Sequence, residues 1–598
     1  MQNPILNFYQ TEIGALESDL QRKKKLNSYL YLVRFVAFVS FAALLFLFFT
    51  SHDRYILLLA AVFAAILFFL AVSMDLRNSY RIKFLGHKLS INKSEIRFLN
   101  HQYSERKTGE EFQYLNPHLA DDFDIFGMGS LFQYLNRCST RIGEQRFAET
   151  LCKSQLDENL IVAKQKAIKE LSEKYTFTQD FQAYGMFVNE KGSETDSLLS
   201  WLDEKAVKLK LLRVLIVAVP LFNAAWIATV ISGYFSVNSL LIPIILSMFI
   251  IFLNRKVIGR AHHKLGNTAK TFEKYMELIK LIENEKFESP YLADLQKNLE
   301  HQDTKASQSL KSLYKLLNSF DVRYNILASF ILNSLVIFDI QVYCRLARWK
   351  ELHKDRIPQW FIALAEMDAL LGFSVFAFNN RDQVSWPGIS SQEFRLSATD
   401  LGHPMLHPDV RVPNTVHFMG SPSVIIITGA NMAGKSTFLR TLSVNLLMAM
   451  NGAPVCAKEF EFTPCDILSS IKIQDSLYKN ESYFYAELLR IKEIMEHTRM
   501  NPRTLVVLDE ILRGTNTKDK QTGSLGILEK LLSQNAVVVV ATHDLVIGEL
   551  ENKYPDTVKN FCFEVELTND QLIFDYKLKK GISQKLNASF LMKKLGII

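Results

Sequence analysis

Ser423-Val424-Ile425-Ile426-Ile427-Thr428-Gly429-Ala430-Asn431-Met432-Ala433-Gly434-Lys435-Ser436-Thr437-Phe438-Leu439-Arg440 reads as a buried strand, a loop bounded by glycines and the opening of a helix. Residues 429–436 satisfy G-x-x-x-x-G-K-[ST] directly between those two elements. The chemistry follows from the residue types. Glycines let backbone N–H groups curl round phosphate oxygens, and the helix N-terminus adds its positive end. Lys435 is placed to reach the outer phosphates, and Ser436 to ligate Mg²⁺. The stretch predicts a triphosphate site made by Gly429, Ala430, Asn431, Met432, Ala433, Gly434, Lys435, Ser436 and Thr437.

Two more β-branched runs follow at helix-length intervals, Leu505-Val506-Val507-Leu508 and Val537-Val538-Val539-Val540-Ala541. Continuously apolar strands separated by helices imply a largely parallel sheet covered on both faces. The second strand ends in Asp509-Glu510, where an Asp holds the metal and the next Glu aligns or deprotonates water. The third ends in Thr542-His543-Asp544, and His543 there is placed to sense the γ-phosphate.

These residues together resemble the MutS family of ABC-like ATPases. Thr428–Thr437 is similar to its phosphate loop, and Asp509-Glu510-Ile511-Leu512-Arg513-Gly514-Thr515-Asn516-Thr517-x-Asp519 to its metal-binding strand end and following loop. Ala541-Thr542-His543 resembles its His switch. Asp475 to Phe484, followed by Glu487, resembles its signature segment, with Asn480 standing where the family has Gly. The resemblance implies ATP and Mg²⁺ as cofactors and a homodimer with two composite sites. It makes Lys435, Glu510, His543 and Ser482 catalytic, with Ser482 offered in trans, and Ser436 and Asp509 metal ligands. Arg411 stands at the position of the base-stacking aromatic.

Weaker likeness extends outward. Leu401-Gly402-His403-Pro404 is similar to the family's entry into the ATPase domain, and Leu572-Ile573-Phe574-x-Tyr576-Lys577 onward to Gly596 to its closing hairpin and helix. Gly129-Ser130-Leu131-Phe132-x-x-Leu135-Asn136-Arg137-x-x-Thr140-x-x-Gly143 resembles the start of its helical core. No segment before residue 120 resembles the mismatch-reading domain or its Phe-x-Glu wedge, and the chain ends without the family's C-terminal dimerising helices. The expectation is therefore a weak dimer without nucleotide, and DNA binding driven by phosphates with little mismatch preference.

Elsewhere the pattern is helical. Periodic apolar residues run from about Phe126 to Lys174, the helix proper starting near Ser130, and again from about Leu265 to Leu371 with a break over Glu283–Pro290. Between these regions lie runs of another kind. Tyr55–Met74 is 20 residues without a charge, and Phe35–His52 is another uncharged run just before it. Val214–Asn254 is 41 uncharged residues divided by Gly233–Ser239. Each half suffices for a hydrocarbon core of ~30 Å. Arg22-Lys23-Lys24-Lys25, Arg77, Arg81, Lys83 and Lys88 flank the first pair, and Lys205, Lys208, Lys210, Arg213, Arg255, Lys256 and Arg260 the second. The short loops hold one strong base, Arg54. The positive-inside rule then predicts four spans of a plasma (inner) membrane, with the N-terminus and ATPase domain cytoplasmic.

The predicted organisation is an N-terminal segment (1–34), a membrane hairpin (35–74), a cytoplasmic region (75–213), a second hairpin (214–254), a helical core (255–395) and an α/β ATPase domain (396–598). The chain has 598 residues, 48% apolar and 22% charged, which excludes a disordered or tail-like protein. With 69 basic and 62 acidic residues the net charge of +7 is mild, and many bases flank the spans, so charge alone assigns no nucleic acid. Lys577-Leu578-Lys579-Lys580 and Lys593-Lys594 are the local exceptions. Six dispersed cysteines without a C-x-x-C pair fit a reducing compartment and no structural zinc. Two other classes share these features: an ATP-driven transporter, disfavoured by spans nearly free of ionisable groups, and a nucleotide-switched scaffold for a protein partner.

Overall fold

The computed structural model describes residues 4–50, 54–188, 200–204, 209–265, 269–301, 304–391, 393–472, 483–501, 503–568 and 571–583. Helices α1 (Pro4–Thr50) and α2 (Arg54–Leu99) pack against each other. At 1.5 Å per residue each is roughly 70 Å long, over twice a hydrocarbon core. The uncharged runs form only one end of this pair. Where the charges begin, Arg34 and the buried Asp75 form an ion pair, and Asn78 Nδ2 donates to Lys23 O (2.9 Å) and Asn27 Oδ1 (3.0 Å). At the other end of the helix, Tyr9 is fully buried and donates to Asn379 Oδ1 at 2.6 Å, so the N-terminal segment is docked on the core.

Helices α3 (Leu209–Ile231) and α4 (Leu241–Leu265) make the second hairpin. Trp226 closes its tip, stacking on Phe235 with centroids 5.0 Å apart and donating Nε1–H to Ser239 O at 3.1 Å. Two consecutive helices, α5 (Ile326–Val336) and α6 (Phe338–His353), lie against this hairpin and meet at 80°. The next helix, α7 (Ile357–Asn379), is the fifth among the described residues that is long and apolar enough to cross a membrane. Its surroundings set it apart: 89% of its apolar window is buried inside the protein, against 6% to 17% for the windows of α1 to α4.

Its polar residues explain why α7 belongs to the core. Glu366 is paired with Lys164 Nζ (2.7 Å) and Arg146, and accepts from Tyr291 OH at 2.6 Å. Asp368 accepts from Ser139 N (3.0 Å), Thr140 N (2.9 Å) and Thr140 Oγ1 (2.6 Å). A Cβ on Gly143 would lie 2.2 Å from Asp368 Oδ2, so glycine permits this approach. The periodic region from Phe126 to Lys174 is several helices rather than one: Leu131–Leu135, capped by Ser130; Arg141–Leu151, capped by Thr140; and Glu158–Glu173, capped by Asp157. The expected break over 283–290 occurs between Ala269–Asn284 and Pro290–Lys297. Glu300–His301 and Thr304–Lys305 pair as two short antiparallel strands before the helix Ala306–Phe320.

The C-terminal region is a mixed α/β unit after this helical core. Strands β1 (Gly388–Ile389), β2 (Arg395–Leu401), β3 (Asn414–Met419) and β5 (Glu459–Phe462) form one sheet in the order β1-β5-β2-β3. Strands β4 (Ser423–Gly429), β6 (Asp466–Ser470), β7 (Thr504–Asp509), β8 (Val537–Thr542), β9 (Val558–Thr568) and β10 (Gln571–Lys580) form the other, in the order β10-β9-β4-β8-β7-β6. All neighbours in it are parallel except β9 and β10. Strands β7 and β8 are buried at every position, as their unbroken apolar runs require.

Candidate functional site

The phosphate loop joins β4 to helix α8 (Lys435–Met450). Its glycines are structural necessities. Gly434 has φ +102°, and a Cβ on Gly429 would lie 2.7 Å from Phe563 O. Lys435 is buried; its ammonium folds back on the loop and donates to Gly429 O (2.7 Å) and Ala430 O (3.0 Å). Burial lowers its pKa, while Glu510 and Asp509 oppose that shift. Asn431, Met432 and Thr437 are exposed, Met432 at φ +67° on the crest of the loop.

Pairing in the parallel sheet brings the ends of β4, β7 and β8 side by side. Ser436 Oγ donates to Asp509 Oδ2 at 2.5 Å, and Asp509 is buried. Burial raises the Asp509 pKa and the Ser436 hydrogen bond counters it. One hydroxyl and one carboxylate beside a phosphate loop suit Mg²⁺, which keeps several waters and takes few protein ligands. The described residues hold no cluster of three or more His, Cys, Asp or Glu groups able to bind a metal by themselves.

Glu510 adopts φ +53° and lines the cleft over the loop. His543 Nδ1 lies 3.4 Å from Glu510 Oε1, and Arg513 Nε 3.2 Å from Oε2. Sequence reasoning gave Arg513 and Glu487 no role of their own. Glu487, buried on helix α9 (Tyr483–Met500), accepts the backbone N–H of Leu512 (2.6 Å) and Arg513 (3.2 Å). It thereby fixes the loop that follows Glu510. Asn516 caps helix α10 (Thr517–Ser533) by accepting from Asp519 N at 3.0 Å, which ends that loop.

A cleft of about 460 Å³ opens over the phosphate loop, with Leu406, Val410, Val412 and Tyr576 on its apolar wall. Tyr576 is aimed by a bulge. The β9–β10 register shifts between Phe563 and Val565, and Tyr576 takes φ +51°, bringing its ring 3.1 Å from where a Cβ on Gly434 would sit. His403 also lines the cleft; burial lowers its pKa to about 4, so it is neutral at pH 7. Arg411 departs from the expected arrangement. Its guanidinium donates to Gln383 Oε1 (2.7 Å) and to Cys456 Sγ, and it lines a different depression with Asp382 and Asp400. Those two acceptors hold its guanidinium at that depression, whereas Leu406, Val410, Val412 and Tyr576 line the cleft over the loop.

Ser482 and Asn480 lie outside the described residues, as do Lys593 and Lys594. The residue before that segment is anchored: Lys472 donates its backbone N–H to Asp122 Oδ1 (2.6 Å), and Arg440 of α8 donates to Asp122 O (2.9 Å). Asp124 pairs with both side chains. Helix α8 and Lys472 thus share one contact on the helical core.

Residues 425–592 match the family MutS domain V. This domain V segment holds the phosphate loop, Asp509, Glu510 and His543 together. Over a longer stretch the chain is 29% identical to DNA mismatch repair protein MutS of Caldicellulosiruptor saccharolyticus, across 256 residues covering 41% of this chain and 29% of that protein. It is 32% identical to MutS protein homolog 4 of Mus musculus across 195 residues, 31% of this chain and 20% of that one. DNA mismatch repair protein MutS of Chlamydia abortus is 35% identical across 179 residues, 29% and 21% of the two chains. The chain spans less than a third of the length of these relatives.

Proposed function

We propose that the protein is a membrane-anchored, Mg²⁺-dependent ATPase of the MutS type, hydrolysing ATP at a homodimer interface and coupling nucleotide state to DNA. The observation that carries this reading is the meeting of Lys435, Ser436, Asp509, Glu510 and His543 at one end of a parallel sheet. In it, backbone N–H groups of residues 429–437 bind the phosphates, Lys435 exchanges its loop carbonyls for phosphate oxygens, and Tyr576 supports the base. Ser436 and Asp509 would hold Mg²⁺, which would supply charge neutralisation on the phosphates. Glu510 orients water and accepts its proton, with His543 and Arg513 positioning the carboxylate. Ser482 is assigned to the partner's site by family resemblance.

The membrane part of the reading is carried by the outward-facing apolar ends of α1 and α2 and the hairpin α3–α4, four spans with the ATPase unit cytoplasmic. Helix α7 is assigned to the core instead. DNA contact is assigned to phosphate attraction without mismatch readout, and the relatives named for mismatch repair share only part of this chain.

The test is nucleotide turnover by the full chain in lipid nanodiscs. Lys435→Ala is expected to abolish hydrolysis and weaken ATP binding; Glu510→Ala is expected to retain bound ATP without turning it over. Turnover by the Glu510 variant at the parental rate would contradict its role. DNA binding is read separately, by titrating matched duplex and the same duplex with one G·T pair at two salt concentrations. Steep salt dependence and equal affinities are expected; a preference above ~10-fold, about 1.4 kcal/mol, would require a wedge.

A further inference from the structure

Helix α5 (Ile326–Val336) has the polarity of a lipid-facing element, although the uncharged run around it, Tyr324–Phe338, is only 15 residues long. That is short of the ~20 residues needed to cross a bilayer, whereas the 11 residues of α5 have the length of a re-entrant or interfacial segment. Ile326, Leu327, Phe330, Ile331 and Leu335 are exposed, Ile326 at 85% and Leu327 at 70%, while the polar Asn333 and Ser334 are buried. Apolar outside and polar inside is the reverse of a helix in water.

The position of α5 is fixed by the second hairpin. At its cytoplasmic end, Tyr324 packs on His262 of α4 with ring centroids 5.0 Å apart, and Asp321 lies 3.1 Å from His262. At its other end, Asn223 Nδ2 of α3 donates to Ser334 O (3.0 Å) and Leu335 O (2.8 Å), and to Ser247 Oγ of α4 (3.1 Å). Asn223 lies ten residues beyond Arg213, or roughly 15 Å along the helix, about half the hydrocarbon thickness.

A helix end at that depth cannot leave its last carbonyls to water. Here they are capped from within. Besides the two bonds from Asn223, Gln341 Nε2 donates to Val336 O (2.8 Å), Ile337 N to Asn333 O (3.1 Å), and Asp339 N to Asn333 Oδ1 (2.9 Å). Ile337 makes the turn at φ +45° and is fully buried, so the non-helical backbone is enclosed in protein. The flanking charges Arg323 and Asp339 approach each other at 3.8 Å.

We propose that α5 is a re-entrant helix that enters the cytoplasmic leaflet beside the second hairpin and presents Ile326, Leu327, Phe330, Ile331 and Leu335 to lipid. The inference rests on the reading of α3–α4 as a membrane hairpin. It adds an anchor in series with the core, because α5 continues through α6 into α7, whose Glu366 and Asp368 hold the helices Arg141–Leu151, Glu158–Glu173 and Pro290–Lys297.

The experiment is spin-label accessibility in the full chain, reconstituted in phosphatidylcholine/phosphatidylglycerol nanodiscs. Single labels are placed through Ile331→Cys and Leu327→Cys, with Phe249→Cys on α4 as membrane reference and Leu156→Cys as aqueous reference; signal from the native cysteines is subtracted. At Ile331 and Leu327 a severalfold excess of oxygen over nickel-complex collisions is expected, matching Phe249. A profile like Leu156 at both sites, with Phe249 still lipid-like, would overturn the re-entrant helix alone. Low collision rates with both reagents would overturn it too, showing a protein partner over this face. An aqueous profile at Phe249 would instead overturn the membrane reading of the hairpin itself.

Discussion

Glu487 ties helix α9 to the loop that follows Glu510. Its carboxylate is buried, and burial raises its pKa, yet two backbone N–H groups of the loop after Glu510 hold it in place. Glu487→Gln removes a charge-assisted acceptor and leaves at least one of those N–H groups poorly paired, costing about 1–3 kcal/mol locally. The expected result is a lower kcat with ATP affinity nearly unchanged, because the phosphate loop and Ser436–Asp509 are untouched. An unchanged kcat would show that the loop is held by other contacts. At this scale the sequence was most informative where residue type and spacing are distinctive: Lys435, Ser436, Asp509 and Glu510 stand out in the sequence, and the fold brings them together. Tyr576 was quoted only as part of a closing hairpin. Its place in the cleft depends on a bulge and a positive φ, which an ordinary strand pattern conceals.

Among the elements, α7 provides the clearest energetic test. The Glu366 carboxyl is buried, but Lys164 and Arg146 lower its pKa to about 2. Its folded value lies below the ordinary 4.5, so its stabilisation is fully present above about pH 4.5 and is lost as the pH falls through 2. The span corresponds to about 3 kcal/mol. Glu366→Gln leaves the buried Lys164 unpaired and is expected to lower core stability by about 3–5 kcal/mol at pH 7. It should also flatten the acid limb of the stability–pH profile between pH 4.5 and 2. An unchanged profile, measured by denaturation in detergent, would contradict the pairing. The elements also show which patterns mislead. Strands β7 and β8 announce themselves by unbroken apolar runs, whereas β2 and β3 alternate buried residues with exposed polar ones and were hidden within loop-like sequence. Helix α5, with 11 residues, falls below the length at which hydropathy marks a membrane element. Conversely, α1 and α2 continue as helix well past their apolar runs, because charged residues end a span without ending a helix.

In the whole molecule, long helices lead from the apolar hairpins to a core that touches the C-terminal α/β unit through Asp122 and Asp124. That contact joins helix α8 to Lys472 just after β6, so under the proposed composite site its closure would be felt by the core. The central claim is that two chains complete each other's ATP sites while held in a membrane. The most direct measurement mixes Ser482→Ala and Lys435→Ala chains in detergent, exchanges them, and reads ATP turnover after reconstitution. Each variant alone is expected to be inactive. A heterodimer pairs one intact phosphate loop with one intact Ser482, and random assortment at equal amounts should restore roughly a quarter of parental turnover. Turnover that stays at the level of the separate variants across protein concentrations, or a Ser482→Ala chain as active as the parent, would contradict the composite-site account.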